Sequence, residues 1–69
     1  MSRLIKRSFS LAGHRTSVAL EAEFWAVLAA CAAANGQSLA ALVTRLDAAR
    51  ASDRPLASVL RVQALLSKG

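Results

Sequence analysis

The chain has 69 residues, a formal net charge of +5 and a single cysteine, Cys31. This length suits one small domain, and one cysteine excludes a disulfide framework. One cysteine and one histidine are too few ligands for a zinc site, so we expect no metal and no cofactor. The sequence also has no nucleotide-binding loop and no nucleophile–base pair, which argues against an enzyme.

The N-terminal part of the sequence is purely cationic. Residues 1–17 hold Arg3, Lys6, Arg7 and Arg15 and no acidic residue. We interpret residues 1–8 as a flexible basic arm, and the alternating residues 8–11 as at most a short extra strand. Such a segment favours a polyanionic partner, although a basic tail that only aids solubility has the same composition. It lacks the apolar core of a signal peptide, so we expect a soluble, cytoplasmic protein.

Residues 15–20 alternate in character, which predicts a strand with two different faces. The apolar face consists of Thr16, Val18 and Leu20. The other face carries Arg15, Ser17 and Ala19. Because the rest of the chain is predicted to be helical, this strand has no partner in its own chain, and its backbone groups need one. We therefore predict antiparallel pairing with the same strand of a second copy across a two-fold axis.

Two helices follow the strand, separated by a turn. The first is predicted over residues 21–35, with an apolar face formed by Phe24, Val27, Leu28 and Cys31. Asn35 and Gly36 end it, and Ser38 is a favourable N-cap for the second helix. Residues 24–44 carry no charge and are long enough to cross a membrane. The turn divides them, so we expect two short helices and no membrane partner.

A third helix is predicted over residues 55–67, and it is apolar on more than half of its circumference. A helix of this kind needs cover on two sides, which favours a dimer. We prefer a role in completing the dimer core. The alternative is that Leu65 and Leu66 contact a second dimer or another protein.

A ribbon of two paired strands fits the major groove of B-DNA. Arg15 can donate twice to guanine, Ser17 can pair with several base edges, and the Ala19 methyl can touch thymine. The backbone N–H groups of Gln37, Ser38 and Leu39, at a helix N-terminus, are predicted to hold a phosphate. Lys6 and Arg7 are expected to add affinity on all sequences alike, and His14 is placed in the turn or near a phosphate.

The order of strand, helix, residues 35–39 and helix resembles the ribbon-helix-helix repressors of the MetJ/Arc type. The opening residues 6–17, followed by Leu20, Glu21, Phe24 and Trp25, are similar to a family of small bacterial ribbon-helix-helix proteins. The resemblance implies a mainly α fold in which one N-terminal strand pairs antiparallel in an intertwined homodimer. A third, C-terminal helix is a departure from the best-known members.

The resemblance covers residues 14–50, which gives a basic arm at 1–13, the core at 14–50 and a C-terminal helix at 51–69. It implies base contacts from Arg15, Ser17 and Ala19, and phosphate contacts from Gln37 to Leu39. The predicted dimer core consists of Thr16, Val18, Leu20, Phe24, Leu28, Leu39 and Val43.

The leading hypothesis is a dimeric, sequence-specific DNA-binding regulator of transcription, with double-stranded DNA and a second copy as partners. An antitoxin is one version of it. The alternative is a protein-interaction module that keeps the dimer scaffold without strong DNA readout, since Ala19 stands where a polar reader is usual. A peptide that binds a membrane surface is a weaker third hypothesis.

Overall fold

A computed structural model describes residues 3–68 of the chain. Two antiparallel strands, β1 (Leu4–Leu11) and β2 (His14–Glu21), precede three helices, α1 (Ala22–Ala34), α2 (Leu39–Ala49) and α3 (Leu56–Lys68). Residues 1, 2 and 69, which the prediction assigned to the basic arm and the C-terminal helix, lie outside the described residues.

The strand β2 has a partner in its own chain. It pairs with β1 from Leu4 opposite Glu21 to Leu11 opposite His14, so the prediction of an unpaired strand is wrong. The prediction of a flexible arm is also wrong for residues 4–8, which lie in β1. Adjacent charges at Lys6 and Arg7 break the apolar–polar alternation that would have indicated this strand in the sequence.

The helices begin and end close to the predicted positions. Gly36 has φ +67 and closes α1 in a Schellman arrangement, in which the Gly36 N–H donates to the Ala33 carbonyl at 3.0 Å. The Ser38 side chain caps α2 by accepting from the N–H of Ala41 at 3.0 Å. The turn that divides the uncharged segment is therefore confirmed.

The core lies between the inner face of the two-stranded sheet and the three helices. Its buried residues in the described part of the chain are all apolar: Leu11, Val18, Leu20, Trp25, Leu28, Ala32, Leu42, Val43, Leu56, Leu60 and Ala64. The predicted apolar face of β2 is confirmed, because Val18 and Leu20 are buried and Thr16 is half-buried. Burial of this apolar surface is the main term that holds such a fold together.

The core face of α1 differs from the predicted one. Trp25, Leu28 and Ala32 are buried, whereas Phe24, Val27 and Cys31 are partly buried at the edge of the core. The sequence pattern did not indicate that Ala32 is buried, because alanine also occupies the exposed positions of α1. Trp25, which the predicted apolar face of this helix left out, is part of the core.

Within residues 3–68, no single helix is long and apolar enough to cross a membrane. By length and composition α1 and α2 pass that test only as a pair, and they are bent by 97° at the break between them.

Candidate nucleic-acid interface

The two strands are joined by a turn of two residues, Ala12 and Gly13. Both have positive φ angles, 51° and 81°, which is the requirement of a type I′ turn. This turn matches the natural twist of paired strands and fixes their register. The hairpin therefore sets which side chains of β1 and β2 share a face.

The outer face of the hairpin, which points away from the helices, is polar. Residues directly opposite each other in an antiparallel pair project from the same side. The Oγ atoms of Ser8 and Ser17, which are opposite partners, are 2.9 Å apart. The outer face is exposed at Lys6, Ser8, Ser10, Arg15, Ser17 and Ala19, and it ends at the pair formed by the exposed Leu4 and the half-buried Glu21.

The outer face has a cation near each end. Lys6 lies opposite Ala19, and Arg15 lies opposite Ser10. Residues 3–20 contain no acidic side chain. Glu21, at the end of β2, accepts from the Nε of Arg61 at 3.3 Å, so its charge is paired with a cation from α3. The outer face is thus electropositive, which suits a polyanionic partner.

The inner face of the hairpin holds Arg7, which the sequence placed with Lys6 among the DNA contacts. Arg7 is opposite Val18, and its guanidinium lies 5.5 Å from the centre of the Trp25 ring. The Trp25 Nε1–H donates to the Ile5 carbonyl at 2.7 Å. Arg7 therefore covers the edge of the core through a cation–π contact, on the opposite side from Lys6.

His14 also lies apart from the outer face. It follows the turn, is exposed, and shares the strand parity of Val18 rather than that of Arg15. The structure therefore brings Lys6, Arg15, Ser17 and Ala19 together on one surface and leaves Arg7 and His14 on the other.

The start of α2 is the second predicted anchor. The Gln37 N–H donates to the Ala32 carbonyl at 3.0 Å, so the prediction that this amide is free is wrong. The Schellman closure of α1 uses it. The helix itself provides no acceptor for the N–H groups of Ser38, Leu39 and Ala40, and these remain the candidates for a phosphate contact.

Sequence reasoning missed two kinds of residue at these sites. Ser8 and Ser10 belong to the outer face, and the alternation of residues 8–11 was the available signal for them. Arg45 was also missed: its Nη2 donates to the Gln37 Oε1 at 3.2 Å, which places a cation close to the start of α2. The only sequence signal that Arg45 lies near the start of α2 was its position on the second turn of that helix.

The residues predicted to form the dimer core divide into two groups, those buried within one chain and those only half-buried there. One chain alone buries Val18, Leu20, Leu28 and Val43, whereas Thr16, Phe24 and Leu39 are half-buried. The large apolar side chains that are exposed in one chain lie outside this predicted set, at Leu4, Ile5, Val62, Leu65 and Leu66. In residues 3–68, no group of three or more His, Cys, Asp or Glu side chains is arranged to hold a metal ion.

A strand followed by two helices with a sharp turn between them is the order of elements in the ribbon-helix-helix class of small domains, and β2, α1 and α2 have this order. A family model described as the ribbon-helix-helix domain matches residues 4–67 of the chain. The chain belongs to this family, and the resemblance noted in the sequence is confirmed.

Membership points to a DNA-binding transcription regulator or an antitoxin, and members generally bind DNA as dimers and are typically not enzymes. Comparisons with curated proteins and with solved structures gave no match.

Proposed function

We propose that the chain is a dimeric, sequence-specific DNA-binding protein that regulates transcription by placing the outer face of its hairpin in the major groove. The observation that carries this proposal is the composition of that face. It is exposed, it has cations at Lys6 and Arg15 with hydroxyl groups between them, and its neighbouring carboxylate, Glu21, is paired with Arg61.

The dimensions and chemistry of the hairpin suit this role. Paired strands lie about 4.8 Å apart, and the major groove, about 12 Å wide, admits a two-stranded ribbon. Guanine presents two acceptors there, which a guanidinium contacts with two hydrogen bonds. Arg15 is the residue of this chain that provides such a contact from the outer face.

The sequence argued for a dimer because β2 was predicted to have no partner in its own chain. Since β2 pairs with β1, the dimer is proposed on other grounds. Family membership supports it, and so do Val62, Leu65 and Leu66 on α3, which are 40%, 61% and 73% exposed in one chain. Apolar side chains grouped on one exposed surface favour burial against another chain. Phosphate contacts from the N–H groups of Ser38 and Leu39 remain part of the proposal.

Titration of labelled duplex DNA at several salt concentrations tests DNA binding. We expect affinity that falls with salt in proportion to the number of phosphate contacts. On the duplex that the wild type prefers, Arg15→Ala should weaken binding by roughly 5- to 150-fold, the usual range for loss of a bidentate guanine contact.

Arg54→Ala is the matched control, because it removes the same charge from an exposed loop residue outside the hairpin. It should change affinity by about twofold or less, as expected for a distant screened charge. Equal losses from Arg15→Ala and Arg54→Ala would contradict readout by the hairpin.

Sedimentation of the wild type at micromolar concentration tests the dimer. We expect a two-chain species, and Leu66→Ser should shift it towards the monomer if α3 lies in the interface. A wild-type monomer with full DNA affinity would overturn the dimeric part of the proposal and leave the DNA-binding part standing.

The second candidate function is a protein-interaction module that uses α3 instead of the hairpin. The exposure of Leu65 and Leu66 favours it. It predicts that Leu66→Ser abolishes partner binding, whereas Arg15→Ala has no effect on it. Lack of DNA binding by the wild type would favour this candidate.

A further inference from the structure

We infer that Arg61 of α3 is a positioning residue for DNA binding. It holds the Glu21 carboxylate at the end of the hairpin, and this keeps the Lys6 ammonium group available to a phosphate of the DNA backbone, whatever the base sequence. The inference rests on the proposed function and deepens it, because it gives α3 a part in DNA binding. The sequence did not indicate the contact, since forty residues separate Arg61 from Glu21.

Glu21 is the last residue of β2 and lies at the end of the outer face. It is opposite Leu4, whose apolar side chain offers no hydrogen-bond donor. The next row of the same face is formed by Ala19, two residues earlier in β2, and by its opposite partner Lys6. Diagonal neighbours of this kind are about 7–8 Å apart, a distance that long side chains can span. The cation of the outer face that is nearest to Glu21 in register is therefore Lys6.

The Glu21 carboxylate pairs with Arg61 instead of Lys6. The Arg61 Nε donates to the Glu21 Oε1 at 3.3 Å, and Lys6 makes no ion pair within residues 3–68. The two paired side chains are 38% and 32% exposed, so solvent screens their attraction only in part. Leu60 and Ala64, on either side of Arg61 in α3, are buried in the core. Arg61 thus reaches Glu21 from a helix that core packing holds in place.

Loss of the Arg61 guanidinium would change what the Glu21 carboxylate does. Its nearest cation on the outer face would be Lys6, and an ion pair between them would have to break before a phosphate could bind the ammonium group. The carboxylate would also repel the phosphates. Each cation that contacts a phosphate adds about one unit to the salt dependence of binding. Removal of Arg61 should therefore be measured as loss of the Lys6 contact.

A double-mutant cycle between Arg61 and Glu21, read out as affinity for a labelled duplex, tests the inference. Arg61→Ala should weaken binding by roughly 3- to 10-fold, between the effect of an exposed ion pair and that of a charged hydrogen bond. In the Glu21→Gln background the same substitution should cost about twofold or less, because no carboxylate remains to bind Lys6. The slope of log affinity against log salt should fall by about one unit in the first case only.

Three further variants serve as controls. Arg61→Lys retains the cation and should keep most of the affinity, whereas Arg61→Ala should cost little once Lys6→Ala has removed the group it protects. Arg50→Ala breaks the ion pair with Asp47, which is similarly exposed and lies outside the hairpin, and it should change affinity by about twofold or less. Far-UV circular dichroism should show that each variant keeps the helical content of the wild type.

The outcomes separate this inference from the proposed function. Equal losses from Arg61→Ala in the wild-type and Glu21→Gln backgrounds would overturn the inference, because Arg61 would then act on DNA without Glu21. An unchanged affinity and salt dependence in Arg61→Ala would overturn it as well. Both results would leave DNA binding by the wild type intact. If the wild type binds no duplex, the proposed function fails and the inference fails with it.

Discussion

The two faces of the hairpin are built from alternate residues of the same strands and yet have opposite chemistry. On the inner face, Val18 and Leu20 are buried against the helices, at 5% and 0% exposure. On the outer face, Ser17 and Ala19, their neighbours in the chain, are exposed. Because successive side chains of a strand point to opposite faces, one residue contributes to stability and the next is available to contact a partner. Substitutions on one face should change the free energy of unfolding, and substitutions on the other should change DNA affinity.

The largest expected effect is on the inner face. Leu20→Ala should lower the free energy of unfolding by about 2–5 kcal/mol, because the chain loses the burial of a fully enclosed side chain and retains part of the cavity. Urea denaturation followed by circular dichroism measures it. The control is Ala19→Ser, one residue away on the outer face, which should change stability by less than about 0.5 kcal/mol. Comparable losses from both would contradict the separation of the faces.

Trp25→Phe tests whether the contacts of the Trp25 side chain with Ile5 and Arg7 hold β1 against the helices. It removes the hydrogen bond to the Ile5 carbonyl and weakens the cation–π contact with Arg7. A loss of about 2 kcal/mol in the free energy of unfolding is expected. Amide hydrogen exchange should show the weakened protection first in β1. A stability equal to that of the wild type would mean that Trp25 does not hold β1 in place.

The turn at Ala12 and Gly13 fixes the register of β1 and β2 and so determines which residues lie on each face. Substitutions in this turn are expected to have the smallest effect on the free energy of unfolding. Ala12 has φ 51°, a conformation that asparagine tolerates better than alanine. Ala12→Asn should therefore raise the free energy of unfolding by roughly 0.5–1 kcal/mol. Gly13→Ala should lower it by about 1 kcal/mol through backbone strain alone, since an added Cβ would contact no atom within 4 Å. The reverse order of stabilities would contradict the type I′ turn.

Much of the fold could be predicted because the relevant signals are local. The positions of Gly36 and Ser38 follow from backbone conformation and capping, and both were predicted. The two faces of β2 were also predicted, from alternation alone. The family resemblance placed the helices in the correct order and is confirmed by the match over residues 4–67.

The partner of β2 could not be predicted because its signal is not local. Arg7 occupies an inner position of β1, where the ring of Trp25, eighteen residues later, provides an aromatic surface for its guanidinium. Ala12 at a positive φ angle likewise gives no turn signal, since alanine rarely adopts that conformation. With β1 unrecognised, Ser8 and Ser10 were left out of the predicted site.

The most direct test of the account compares two neighbouring methyl-bearing residues, Val18 and Ala19, by NMR during titration with the preferred duplex. The account predicts that the Ala19 methyl signal shifts or broadens on binding, because it lies on the outer face, while the Val18 methyl signals stay in place within the core. Shifts at Val62 and Leu66 of α3 with an unchanged Ala19 signal would contradict it, because DNA would then contact a surface other than the hairpin.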